Sequence, residues 1–184
     1  MGSSPPRDWM RFVQRGTGCA VATWGERTIV AVYRGRNRHS DVVMLEEAIL
    51  AVATARRTQV RVLVVIEPGA MTGERGRRHI GTMFRNVDGH VNAWTTVVEG
   101  EGFWASAARA VTAGVRLLVK TSFPRSVESS VARAVAWLEA ETKAPLGEDF
   151  PAALEDLRKS LEKPRPSSDP PGTPGRPPSD KPSA

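Results

Sequence analysis

Three histidines, His39, His79 and His90, are the side chains best suited to move a proton or hold a metal at neutral pH. Their spacing offers neither job a ready frame. No His-x-x-x-His pair places two imidazoles on one helical face, and the lone Cys19 adds no second soft ligand, so no metal and no cofactor is expected. His79 with Glu74 or Glu67 is the nearest approach to an acid–base pair. A Gly-x-Ser-x-Gly nucleophile elbow is missing. Gly69, Gly73 and Gly76 form neither a dinucleotide fingerprint nor a P-loop, which would end Gly-Lys-Ser/Thr. No catalytic residue is assigned, and the expectation is a protein that makes no bonds.

Three other groups have types and spacing that suit binding. Thr72 stands where a second helix should begin. Its hydroxyl can accept a first-turn N–H as a cap. The same place stabilises added negative charge and has Arg75 close by in sequence, which makes Thr72 a candidate phospho-switch. Arg34, Arg36, Arg38 and His39 form one basic run, and Arg75, Arg77, Arg78 and Arg85 a second. Together they would hold phosphates or acidic side chains if the fold brought them together. Phe103 and Trp104, at the start of a third helix, either pack in the core or line a ligand pocket.

The elements that must position these groups follow from periodicity. Residues 19–24 and 28–34 read as a hairpin around Gly25-Glu26-Arg27, rich in strand-favouring types. Ser40 is placed to cap a first helix, with Asp41 at its positive end and Leu45, Ala48, Ile49 and Val52 at helical spacing. Residues 60–66 are nearly all apolar and should lie at the sheet centre, covered on both faces. Ile80, Met83, Phe84 and Val87 stripe the second helix. A strand over 91–99 precedes a third helix over 101–118. A short strand over 123–127 follows, with Pro124 marking either an edge or a strand start. Ser129 or Ser130 caps a fourth helix that buries Val131, Ala134, Val135 and Leu138. The expected fold is α/β: a mixed sheet of about five strands with four helices, in the order ββαβαβαβα.

At 184 residues the chain has room for one domain with extensions. Residues 1–15 read as a flexible lead-in, 16–142 as the domain and 143–163 as a linker with a short appended helix. Residues 164–184 read as a disordered tail, because they carry eight of the fourteen prolines with Ser, Gly and charge, and little that could be buried. No apolar run approaches the ~20 residues that cross a bilayer, and the first residues lack the apolar stretch of a signal peptide. Cys19 in a strand-like run suits a buried, reduced thiol. A cytoplasmic location is the expectation. The formal charge of +6 favours acidic partners.

The order of elements resembles the STAS fold, and its SpoIIAA-like branch in particular. Gly102-Phe103-Trp104 opening the third helix is similar to that branch, as are Phe123-Pro124 and Ala134-Val135-Ala136-Trp137-Leu138; the resemblance covers about residues 17–141. It implies a non-enzymatic regulatory module of the anti-sigma-factor-antagonist kind, part of bacterial signalling. In that family a Ser or Thr at the start of the second helix is phosphorylated by a partner kinase, which ends binding. The family pattern is Asp-Ser, a small residue, then Gly. Here Ala70-Met71-Thr72-Gly73 keeps a hydroxyl and the glycine without the Asp. The surface so implied comprises Met71, Gly73, Arg75, Arg78 and Arg85 around Thr72, with a regulator or kinase-like protein as partner.

The first alternative is a small-molecule or lipid site at Phe103 and Trp104. The second is a nucleic-acid or anionic-surface binder using the arginines. Interspersed Glu26, Glu46, Glu47, Glu67 and Glu74, and the want of aromatics among the arginines, weigh against nucleic acid.

Overall fold

The computed structural model describes residues 13–16, 18–102, 106 and 120–162. In chain order these form β1 (Val13–Arg15), β2 (Cys19–Trp24), β3 (Thr28–Tyr33), β4 (Arg36–Asn37), α1 (His39–Arg56), β5 (Val60–Ile66), β6 (Met71–Thr72) and α2 (Glu74–Asn86). A 3-10 turn (Asp88–His90), β7 (Val91–Val98), β8 (Arg125–Glu128), α3 (Val131–Thr142) and α4 (Phe150–Ser160) follow. Six strands make one mixed sheet in the order β1-β2-β3-β5-β7-β8, and β4 and β6 pair separately as a two-residue ribbon. The first three strands run antiparallel, and β3, β5, β7 and β8 run parallel.

Strand alternation builds two cores from one sheet. Cys19, Val21, Ile29 and Ala31 point to the face covered by α1 and α2, where they meet Leu45, Ile49, Met83 and Phe84. Their neighbours Ala20, Ala22, Val30 and Val32 point to the opposite face and meet Leu138 of α3 and Phe150, Leu154 and Leu157 of α4. Strand β5 lies between β3 and β7 with both faces covered, as its unbroken apolar run requires. No helix among the described residues is long and apolar enough to cross a membrane.

Several local features differ from the sequence reading. The sheet has six strands rather than five, because Val13–Arg15, assigned to the lead-in, pair with Ala20–Ala22 of β2. Ser40 does not cap α1. Asp41 does: its Oδ2 accepts the Arg38 N–H at 2.7 Å, and the residue is fully buried. A carboxylate reaches back to this donor from the third helical position, a geometry the residue immediately after the first helical one lacks. The helix read as appended to the domain is part of its core: Phe150, Leu154 and Leu157 are each no more than 2% exposed. By contrast, Ser130 caps α3 as expected, accepting the Arg133 N–H at 3.4 Å. Pro124 stands just before edge strand β8, where its missing N–H leaves no ladder bond unmade. The helix expected over 101–118, Phe103 and Trp104, and the tail over 164–184 lie outside the described residues but for a few at the helix start.

Gly18 has a packing reason. Its chain passes so near Arg34 that a Cβ would lie 2.5 Å from the Arg34 carbonyl oxygen, closer than atoms approach. The Arg34 N–H donates to the Gly18 carbonyl there at 2.8 Å, between β3 and β4.

Candidate functional site

The parallel strands β3 and β5 end at the same edge of the sheet, and the segment after each continues into the ribbon. Met71 N–H donates to the Gly35 carbonyl at 2.7 Å, and Gly73 N–H to the Asn37 carbonyl at 3.2 Å. The register sets Arg36 beside Met71 and Asn37 beside Thr72. Paired residues share a face of a sheet. Asn37 and Thr72 therefore turn inward, where Asn37 is buried and Thr72 half-buried, while Arg36 and Met71 turn outward. Met71 is 64% exposed and is the exposed large hydrophobic side chain among the described residues. The two basic runs therefore converge in part, through Arg36, Arg38 and the first turn of α2, beyond the carboxyl ends of parallel strands, where open α/β sheets offer their binding surfaces.

Helix α2 begins on this ribbon. Its N-cap is Gly73, not Thr72, and no side chain caps it. Thr72 instead ends the ribbon with its methyl against the helix: a Cβ on buried Gly76 would come within 2.6 Å of Thr72 Cγ2. Only glycine lets the first turn of α2 settle that close. The Thr72 carbonyl accepts from Arg77 Nη1 at 2.8 Å. Arg78 faces Glu74 one turn away at 3.4 Å with both side chains largely in solvent, a pair that contributes little. Arg36, Arg38 and Arg75 are exposed and make no ion pair among the described residues. Arg85 is not brought to the patch. It lies ten residues beyond Arg75, about 15 Å along the helix, and donates to Thr82.

Beneath the patch, α1 and α2 are joined by polar contacts between residues far apart in sequence. His79 Nε2 lies 2.6 Å from Glu46 Oε2, and Asn86 Nδ2 donates to Glu46 Oε1 at 2.6 Å. The His39 ring meets the His79 ring edge-on, with centroids 4.7 Å apart. The partner of His79 is therefore Glu46, not Glu74 or Glu67. Glu46 is buried on the inner side of α1 and reaches two residues of the adjoining helix, His79 and Asn86. His90 sits in the 3-10 turn near the far end of α2. Among the described residues, no three His, Cys, Asp or Glu side chains gather closely enough to hold a metal.

Arg34, read as part of the basic loop, is already engaged. Its guanidinium grips Glu67 through two nitrogens, one at 2.9 Å, and lies 3.5 Å from Glu162. Arg158 of α4 grips Glu99 at 2.6 and 3.0 Å and approaches Glu67 at 3.5 Å. Hydrogen bonds to Glu67 and Glu99 hold the two guanidiniums above their ordinary pKa. These groups fasten the end of α4 to the residues following β3, β5 and β7. They take Arg34 out of the free positive surface.

Cys19 is buried beside Tyr33, and burial pushes its thiol well above the usual range. Tyr33, itself pushed up by burial, donates to the Asp41 carbonyl at 3.2 Å. A thiol so placed stays protonated and packs as a small apolar side chain. A void between β2 and α4, lined by Ala22, Trp24, Phe150 and Leu154, is no larger than a water and offers no room for a ligand.

Sequence reading found the arginines, Met71 and Thr72 but missed Glu46, Asn86 and the engagement of Arg34. The signal for Glu46 was its place between Leu45 and Ala48, on the buried side of α1. Comparison with family models, with curated proteins and with solved structures gives no match to the chain.

Proposed function

We propose that this chain is a non-enzymatic, regulatory protein-interaction module of the STAS, anti-sigma-factor-antagonist kind, docking through the β4–β6 ribbon and the first turns of α2. One observation carries the reading. The ribbon joins two segments 35 residues apart in register and presents Met71, largely in solvent, beside Arg36, which like Arg38 and Arg75 makes no ion pair among the described residues. The rigid supports are Gly76 packed on Thr72 and the Glu46 contacts to His79 and Asn86, which fix α2 against α1. The family assignment draws its support from the α/β order and the phrases quoted above.

Thr72 remains the place for a charge-controlled switch, by a different geometry from a helix cap. A phosphate there would join the inner end of the ribbon, one residue before the uncapped start of α2 and beside Arg77. It would neutralise part of the positive surface and displace the packed methyl from Gly76.

Affinity capture from native lysate tests this reading, with wild type, Thr72→Ala, Thr72→Glu and Met71→Glu compared. The expected result is one partner retained by wild type and Thr72→Ala and reduced about tenfold or more by Thr72→Glu and Met71→Glu, the size expected for a central anchor or a misplaced charge. Capture that is equal for all four forms would overturn the docking site. Normal melting of each variant, read by circular dichroism, separates loss of docking from loss of fold.

A further inference from the structure

The partner's chemistry can be read from the same surface, and this step rests on the docking reading above. Of the exposed arginines Arg36, Arg38, Arg75, Arg77 and Arg78, only Arg78 makes an ion pair among the described residues, with Glu74. Beside Arg36 in the ribbon stands an unbranched thioether chain in solvent. Guanidiniums recognise carboxylates and phosphates equally well. Met71 decides between the two. A phosphate backbone gives a methionine nothing apolar to bury against. The exposed large hydrophobic residue here is aliphatic, so among the described residues no aromatic platform is exposed on which bases could stack. An acidic protein segment satisfies both features at once: carboxylates to the arginine rim and an apolar side chain to Met71, whose flexible chain adapts to varied partners.

We infer that the ribbon surface binds an acidic protein segment with an apolar residue set among its carboxylates, Met71 supplying the apolar contact and Arg36, Arg38 and Arg75 the ionic rim. The rim is ionic and exposed, so binding weakens with salt, but the Met71 contribution does not.

The probe is a short fluorescein-labelled peptide, rich in Glu and Asp with one central Phe, titrated by fluorescence anisotropy against full-length protein. The comparison is between Arg36→Glu with Arg75→Glu, and a control, Arg27→Glu with Arg56→Glu. The control shifts net charge equally, but Arg56 stands at the far end of α1, some 27 Å from the ribbon for an 18-residue helix. The first pair is expected to weaken the peptide about tenfold or more, the control less than about twofold, and Met71→Ala about threefold with the salt dependence unchanged. A matching peptide with Asn for Phe should bind wild type like the Met71→Ala protein binds the Phe peptide. Equal weakening by both charge pairs would show only a general attraction of a basic protein and overturn the inference. Tighter binding of a DNA duplex than of the peptide, lost with Arg36 and Arg75, would overturn it in favour of nucleic acid. A partner captured from lysate through Met71 yet indifferent to the Arg36 and Arg75 reversals would leave the docking module standing and remove the acidic-segment inference alone.

Discussion

Replacing Arg61 with alanine is expected to lower the free energy of unfolding by about 3 kcal/mol, the scale of losing one side chain's set of four hydrogen bonds to hydroxyls and carbonyls. Arg61 is the second residue of the central strand β5, 7% exposed. Its Nε donates to Thr28 Oγ1 at 2.7 Å. The Nη atoms donate to Thr142 Oγ1 at 3.2 Å, to the Pro145 carbonyl at 3.0 Å and to the Ala144 carbonyl. Burial, helped by Arg27, lowers the guanidinium pKa, yet a guanidinium stays charged at any ordinary pH. One side chain therefore ties the hairpin, the central strand and the connection between α3 and α4 together. Alanine would leave the part-buried carbonyls of Ala144 and Pro145 without their donor, and a group so cut off from water costs about 1–3 kcal/mol. Arg61→Lys, with a single nitrogen, should fall between the two. Urea unfolding followed by circular dichroism measures this. A change within about 0.5 kcal/mol of wild type, the usual range for a surface site, would show that the bonds are not formed in solution.

Phe150→Ala is expected to cost about 3–5 kcal/mol, the range for emptying a large aromatic position in a core. Phe150 is 1% exposed at the first position of α4, with its ring edge-on to Trp24 at 5.7 Å. Trp24 in turn donates from Nε1 to the Leu146 carbonyl at 2.7 Å, just before the helix. At the other end of the helix, Arg158 holds Glu99. A helix merely appended to a finished domain would unfold on its own and leave the main transition alone. An integral one lowers the single transition of the whole domain. Thermal unfolding followed both by far-ultraviolet signal and by tryptophan environment distinguishes them. Coincident, lowered transitions are expected; an early transition confined to the helix, with the rest unmoved, would contradict the three-layer core.

The parts of this fold that were readable in the sequence are those decided within one element. The apolar run of β5, the hairpin between β2 and β3, the Ser130 cap and the stripe of Met83 and Phe84 each rest on residues within a few positions of one another. What sequence reading misplaced depends on partners brought together by the chain's path. Asp41 outcompetes Ser40 as cap because its longer reach meets the Arg38 N–H. Glu46 finds His79 across 33 residues, and Val13–Arg15 become a strand only because β2 offers an open edge. The site divides in the same way. Arg75 and Arg78 were visible as a basic face of the second helix and Met71 through the family pattern, but the two-residue ribbon that sets Arg36 beside Met71 has no periodicity to betray it. Arg34 looked as free as its neighbours until Glu67, following another strand, was seen to hold it.

Hydrogen–deuterium exchange of the full chain, with and without the captured partner, tests the docking account most directly. The account predicts slowed exchange in residues 35–39 and 71–78, strongest at the backbone of Met71 and through the first turn of α2, with the N-terminal edge of the sheet unchanged. Slowed exchange confined to β8 or to α4, with the ribbon unaltered, would contradict it.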